Sequence, residues 1–541
     1  MTETFDEFGL ADDTTNANMP DAPHVVMMAG NNFVVDTRAL KSAMSLARWN
    51  LRVTAIGLAE RGIRGERQLG DVRLLSPAIP SRALSSGLGF RVSVLRPWFS
   101  SQAEYKRSLG RWEYGTRELK GDRGREIRER KRPVTARHSM CRSRVGRAVR
   151  WRLLRLRRIL LAIRAAPLRR HRKTNEGVGT GRHLLLTVYR RLSLARWRWV
   201  LPEIIDQDLV IGRMLDRLQP DVIHVHDVFM LGIAARAAHR ASLKDRDVKV
   251  VYDAHEYLPG VAVVPPRRIA AYCDLEDEFI HDADRVVTVS EPLAQWLQRD
   301  HQLERLPDVV LNAPVEVPQD TETGDVREVA ELPPDVPLLV YVGGVNRARG
   351  LHTVVSALPA LPDVHLVVVA RGNSVTRQLE QLAESLGIAD RFHLVPYVDP
   401  ELVPGYIRSA TIGVSPLLHA PNHDIAITNK FCEYIAAGLP IVTSDTRAQA
   451  ELVRALDLGA VHTAGDVADC TRAIQAALAD HDRLSRRISS DADLRHRFSW
   501  AAQAETLRTV YDELLGKLPE QAWAPDATRI ERLVSHARED A

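Results

Sequence analysis

Asn429-Lys430-Phe431-Cys432-Glu433-Tyr434-Ile435-Ala436-Ala437-Gly438-Leu439-Pro440 runs directly into Ile441-Val442-Thr443-Ser444-Asp445. Apolar residues at 431, 434, 435 and 439 recur at helical spacing. Gly438 suits the left-handed residue past a helix end, and Pro440 prevents the helix from continuing. A buried parallel strand is expected next. Such a helix points its N-terminus toward the side of the sheet where anionic ligands bind, with Lys430 in its first turn and Glu433 just inside. A phosphate and a diol could both be held there. The residues alone also allow an ordinary α/β unit with a surface lysine and a capping glutamate.

The rest of the chain decides between these. Composition is that of a globular protein, 45% hydrophobic and 26% charged, and 541 residues suffice for two or three domains. The net charge of +5 hides an asymmetry, because arginine fills about a quarter of the positions between roughly 100 and 200. Cys141, Cys273, Cys432 and Cys470 are widely spaced with no C-x-x-C pair, which argues against a disulfide framework or a zinc site and for a reducing, cytoplasmic location. The acidic, polar start reads as a disordered leader over 1–22, without the pattern of a secretory signal. No run of eighteen apolar residues predicts a membrane span.

A βαβ opening is expected from His24–Gly30, a helix from Asp36 through Ala47 and a strand at Val53–Ile56, with Gly30 in the turn after the first strand. Gly30 is outside any G-x-G-x-x-G fingerprint, so no dinucleotide cofactor is indicated. From about 98 to 200 the αβ rhythm gives way to a basic insert. Within it, residues 149–163 read as a basic amphipathic helix suited to an anionic membrane surface, to a lipid-linked acceptor, to packing on its own domain, or to nucleic acid. The rhythm resumes at Asp221–Asp227 and Val248–Asp253, which place His224, His226 and His255 at strand ends. Residues 315–336 have a linker's composition. A second αβ series then begins at Pro337, with helices expected over Pro400–Arg408 and Asp466–Ala479 and a polar loop over His419–Thr428. Gly343-Gly344-Val345-Asn346-Arg347-Ala348-Arg349 allows close backbone approach, while Arg347 and Arg349 could neutralise a diphosphate. Arg497–Trp500 opens an amphipathic closing helix through Leu515, and 517–541 reads as a tail.

The opening stretch resembles the nucleotide-sugar site of the family-4 glycosyltransferases, retaining enzymes of the GT-B fold. Asp253-Ala254-His255-Glu256, the closing Asn312-Ala313-Pro314 and the helix from Arg497 are similar to that family's segments in the same order. The resemblance implies two Rossmann-like αβα domains facing a cleft: residues 23–314 on the acceptor side, carrying the insert, and 337–496 on the donor side, with the helix at 497–516 returning to the first. It also implies that Glu433 binds the donor ribose, that Arg349 and Lys430 bind its diphosphate, and that His255 stands beside sugar and leaving phosphate; Gly344 stands where the family commonly has an arginine, and Arg347 is the residue that could compensate. The resemblance also implies that the Gly30 loop lies near the donor phosphates or the acceptor, that Gly344 lies near the donor, and that Tyr397 lies near the base. Where many family members carry an acidic residue eight positions before the glutamate, this chain has Ile425, and Asp424 is the nearest acid. Positive side chains and helix N-termini can stand in for a metal, so neither metal nor cofactor is expected.

The expected activity is transfer of a sugar from a nucleotide diphosphate-sugar to a lipid-linked or cell-surface glycan acceptor, with the enzyme cytoplasmic and peripheral on an anionic membrane. A nucleotide-sugar epimerase of the same fold and, less in keeping with the motif, a nucleic-acid-binding protein are the alternatives.

Overall fold

A computed structural model of the chain describes residues 22–58, 65–79, 196–261, 264–316 and 321–519. The leader up to residue 21, the insert before residue 196 with its amphipathic stretch 149–163, and the tail from 520 lie outside the described residues.

Fourteen strands are described: β1 (His24–Ala29), β2 (Arg52–Ile56), β3 (Gly65–Leu69), β4 (Val72–Ser76), β5 (Val222–His226), β6 (Lys249–Ala254), β7 (Arg285–Thr288), β8 (Asp308–Val309), β9 (Leu338–Val342), β10 (His365–Val369), β11 (Phe392–Val395), β12 (Ile412–Ser415), β13 (Ile441–Ser444) and β14 (Gly459–His462). They form two sheets, ordered β3-β4-β2-β1-β5-β6-β7-β8 and β11-β10-β9-β12-β13-β14. Every pairing is parallel except β3 with β4. Parallel strands need helical crossovers on both faces, which explains why β1 and β9 are buried at every residue instead of alternating. In β9, Leu338, Val340 and Val342 enter one apolar cluster while Leu339 and Tyr341 enter another, so the two-residue period of the strand feeds both faces of the sheet.

The helix Trp500–Leu515 belongs to the core of the first sheet although it follows the second in sequence. Trp500, Leu507, Val510 and Tyr511 are buried with Val25, Met27 and Val53. The Trp500 backbone N–H donates to Pro314 O at 2.8 Å, and its indole Nε1 donates to Ser45 Oγ at 3.1 Å. Phe498, two residues earlier, is buried in the core of the second sheet. The chain therefore crosses back within a single turn. Residues 196–206 and 264–274 belong to a second compact unit, in which Asp274 accepts from the Trp197 N–H at 2.8 Å and Arg268 pairs with Glu203.

Four local expectations need correction. The β3–β4 hairpin goes unforeseen, because Glu66, Arg67 and Arg73 hide its alternation; Gly70 at φ +59° makes the turn, and Arg73 pairs with Glu66 at 2.6 Å. The helix expected over 400–408 is confined to Val403–Tyr406. The polar loop 419–428 contains the short helix Pro421–Ile425. Within 315–336, Val326–Val329 is helical, and Arg327 donates to the carbonyls of Ser409, Pro333 and Val336, so this stretch is tied down at a buried cation.

Candidate functional site

The helix expected from residue 429 onward spans Asn429–Ala436, and the chain leaves it through Gly438 with φ +75°. Thr428, its N-cap, makes no side-chain cap; its carbonyl accepts from the Phe431 N–H at 2.9 Å, and the N–H groups of Asn429 and Lys430 remain for a ligand. Lys430 and Glu433 are 6% and 8% exposed, and neither side chain has a hydrogen-bond partner among the described residues. Lys430 Nζ lies over the Tyr341 ring at 4.8 Å. Burial, followed by repulsion from Arg349, pushes the Lys430 pKa down. Burial pushes that of Glu433 up, against the attraction of Lys430 and Lys41. Burial thus works against the charge on both groups, and their mutual attraction, with that of Lys41, works for it. A ligand carrying both negative charge and hydroxyls would satisfy them.

Loops after β9 and β12 complete this end of the second sheet. Gly343 has φ +109°, and a Cβ at Gly343 or Gly344 would meet no heavy atom within 4 Å, so the loop borders open space. Asn346 Oδ1 accepts from the Arg349 N–H at 3.1 Å and sets the turn Arg347–Arg349. Gly350 follows at φ +73°, so close to Pro416 that an added Cβ would stand 1.7 Å from its carbonyl oxygen. Of the two arginines, Arg349 is the one whose charge acts on Lys430, Tyr341 and Glu256; Arg347 acts on His352 instead. Tyr397 lies under the Arg371 guanidinium, 5.3 Å from its ring centroid. Ile425 is buried and its carbonyl accepts from Ser290 Oγ at 2.7 Å, while Asn422 Oδ1 accepts from the Tyr257 N–H at 3.1 Å. The acid of this loop, Asp424, is held by His419 Nδ1 at 2.7 Å, and His419 Nε2 is 3.0 Å from Asp445. The loop is therefore docked on the first sheet's loops through its backbone and Asn422, with its carboxylate engaged by histidine.

At the first sheet, His255 follows β6 and is 17% exposed at its side chain. Its Nδ1 is 3.5 Å from Asp227 Oδ1, and its Nε2 is 3.2 Å from His226 Nδ1 and 3.5 Å from Asp253 Oδ2. Burial disfavours the imidazolium, but Asp227 and Asp253 outweigh it and raise the His255 pKa to about 9. Asp253 is held in turn by Arg38, whose Nε and Nη2 donate to its two oxygens at 2.8 and 2.9 Å. Burial works against the Asp253 carboxylate, yet Arg38 and His255 hold its pKa well below the usual range. His224, stacked on His226 at 4.7 Å, is driven toward the neutral form mainly by burial; its Nδ1 meets Tyr511 Oη at 2.9 Å. Gly30, just past the end of β1, packs so closely on Phe229 that a Cβ there would stand 2.8 Å from the ring.

Metal-ligand types come together twice here, as His224, His226 and Asp253 and as Asp36, Asp227 and His255, with ligand atoms within 4.8 Å. In the first set Arg38 already occupies both Asp253 oxygens with a fixed positive charge. In the second, Asp36 accepts from the Ala39 N–H and from Asn31. In the first set His224 Nε2 and His226 Nε2 are buried without a hydrogen-bond partner. Arg38, Asp36, Asp227 and Lys41 escape a reading of motifs. The available signal is two basic residues, Arg38 and Lys41, three apart in a helix whose residues 38–46 are all buried.

Two parallel-sheet αβ domains, a closing helix returned to the first, and polar side chains gathered at the C-terminal ends of both sheets define the GT-B class. The chain superposes on a sucrose-phosphate synthase from Thermosynechococcus elongatus with a TM-score of 0.55 at 14% identity, covering 91% of this chain and 99% of that one. It superposes on a glycosyltransferase from Rickettsia africae with a TM-score of 0.52 at 11% identity, covering 92% and 99%. Residues 165–313 match the family described as Glycosyltransferase Family 4, and residues 336–480 match that described as Glycosyl transferases group 1. The chain belongs to these glycosyltransferases and is a transferase. It is 27% identical over 320 residues to a D-inositol 3-phosphate glycosyltransferase of Xylanimonas cellulosilytica, which covers 55% of this chain and 73% of that protein. It is 29% identical over 252 residues to a protein of the same description from Geodermatophilus obscurus, covering 44% and 54%. To a phosphatidyl-myo-inositol mannosyltransferase of Mycobacterium leprae it is 27% identical over 180 residues, covering 32% and 46%. The chain thus spans about half the length of the last two.

Proposed function

We propose that this protein transfers a sugar from a nucleotide diphosphate-sugar to a hydroxyl of a lipid-linked or cell-surface glycan acceptor, with retention of configuration. The observation that carries the donor reading is the buried pair Lys430 and Glu433, whose side chains have no hydrogen-bond partner among the described residues, at a helix N-terminus without a side-chain cap. Glu433 receives the ribose hydroxyls. Lys430, Arg349 and the N–H groups of Asn429 and Lys430 take up charge on the departing diphosphate, the role a metal ion fills elsewhere. Gly343 and Gly344 let backbone approach the phosphates. His255, held as a cation, stands on the acceptor side as a further positive charge for the transition state.

The relatives are described as acting on inositol phosphate and phosphatidyl-inositol, which supports a polyol or lipid-linked acceptor for this chain. Among the described residues no helix is long and apolar enough to cross a membrane. On its basic amphipathic composition, contact with a lipid-borne acceptor is assigned to the Arg-rich segment between 98 and 200, acting at the cytoplasmic face. The test is nucleotide diphosphate release from a panel of donors with and without extracts of lipid-linked acceptors. Release that depends on acceptor supports transfer. Interconversion of the sugar on its nucleotide without any acceptor would replace transfer by epimerisation.

A further inference from the structure

Asp227 stands where β5 turns into the helix Val228–Ser242, and it occupies that helix's N-cap. An aspartate at this position ordinarily accepts a hydrogen bond from the helix's free N–H groups. Here it makes no side-chain cap. Its backbone, at φ +64° and ψ 159°, lies in a region that glycine alone adopts readily. The conformation is pinned by the Asp227 N–H donating to Asp253 O at 3.0 Å, which extends the β5–β6 ladder by one residue. A strained backbone and an unused cap at one residue have a shared consequence: the carboxylate is turned out of its helix and toward His255, 3.5 Å away.

We propose that Asp227 is a positioning residue of the transfer site, its backbone strain serving to hold the His255 imidazole against a second carboxylate. The inference rests on reading His255 as a group that faces substrate. Each ring nitrogen then has an acid beside it, Asp227 at Nδ1 and Asp253 at Nε2, so the ring cannot turn without losing one. The charged and titratable groups around it are His224, His226 and Asp227 from the β5 side, Asp253 from β6, Asp36 and Arg38 from the helix Thr37–Arg48 and its cap, and Glu256 on its own loop. Asp253 shares its charge with Arg38 through a two-point contact. Asp227 has no arginine partner among the described residues, and of the two acids it exerts the larger coulombic pull on the His255 proton, with Asp253 acting in the same direction. A cation fixed in this way persists at neutral and mildly alkaline pH, where an ordinary histidine would be uncharged.

The test uses the full chain as wild type, Asp227→Asn and Asp227→Gly, with the His255 ring signal assigned by its loss in His255→Gln. Proton–carbon NMR across pH should show the His255 midpoint falling by about one pH unit or more in both Asp227 variants. Asp227→Gly should melt above Asp227→Asn, because both remove the same charge and glycine alone relieves the backbone. The alkaline limb of donor turnover should move down with the midpoint. A His255 midpoint unchanged in Asp227→Asn overturns the proposal, as does a glycine variant that melts no higher than the asparagine one. If the midpoint falls but wild type turns over no donor in the panel, the positioning stands and the transferase assignment fails.

Discussion

Replacing Glu433 by glutamine separates the two halves of the donor site. The carboxylate is 8% exposed and carries no hydrogen bond from a described residue, so both oxygens are free for two ribose hydroxyls. Glutamine keeps one acceptor and turns the other oxygen into a donor. One hydrogen bond to a charged acceptor is lost, about 1.5–3 kcal/mol, or about 10- to 150-fold in Kd for a nucleoside diphosphate. Inorganic pyrophosphate has no ribose, and for it the substitution removes a negative charge close to Lys430. Its affinity should hold or improve. Lys430→Met, by contrast, should weaken nucleoside diphosphate and pyrophosphate alike. Calorimetric titration of UDP, GDP, ADP and pyrophosphate against wild type and both variants reads all of this directly. Parallel losses for pyrophosphate and the preferred nucleotide in Glu433→Gln would refute the ribose assignment, as would unchanged nucleotide affinity.

Other consequences concern the scaffold of the site. Gly350→Ala puts a Cβ 1.7 Å from Pro416 O at a residue with φ +73°; left-handed strain together with overpacking should destabilise by about 2–5 kcal/mol in urea unfolding. Arg38→Met leaves Asp253 as a buried acid without its partner, with Arg38 and Asp253 only 3% and 2% exposed at their side chains. A loss of about 3–5 kcal/mol is expected, measured the same way. The pKa of His255 is raised in the folded protein to about 9 from its ordinary 6.5, so its contribution is fully present below pH 6.5 and is lost as pH rises through 9. Its share, about 3 kcal/mol, is the difference between the stability–pH curves of wild type and His255→Gln. Lys430 runs the opposite way, gaining stability as pH rises toward 10.5, which is why the comparison is made between variants.

Much of the architecture was legible in the chain itself. The helix ending at Gly438 and Pro440 before the apolar run Ile441–Ser444 fixes one αβ unit by local chemistry alone, since a left-handed glycine and a missing N–H stop a helix wherever they occur. Largely apolar β1 and β9 announce parallel sheets covered on both faces, and the aspartates 36 and 466 mark helix starts that the structure confirms through side-chain caps. Lys430, Glu433 and Arg349 are singled out as candidates in the sequence because they sit beside such local signals. The hairpin β3–β4 is not, because its strands carry charges on what would be their apolar alternation.

What only the tertiary structure decided is which distant groups meet. Arg38 reaches Asp253 across 215 positions, His224 reaches Tyr511 across 287, and Trp500 reaches Ser45 across 455. Sequence spacing also treated Arg347 and Arg349 alike, whereas the Asn346 cap and the left-handed Gly350 bring Arg349 near Lys430. Local propensity depends on neighbours a few residues away, and so it is written in the sequence. Burial, charge coupling and the strained turn at Asp227 depend on which strands lie side by side, and that is fixed only when both sheets are assembled and the last helix has closed on the first.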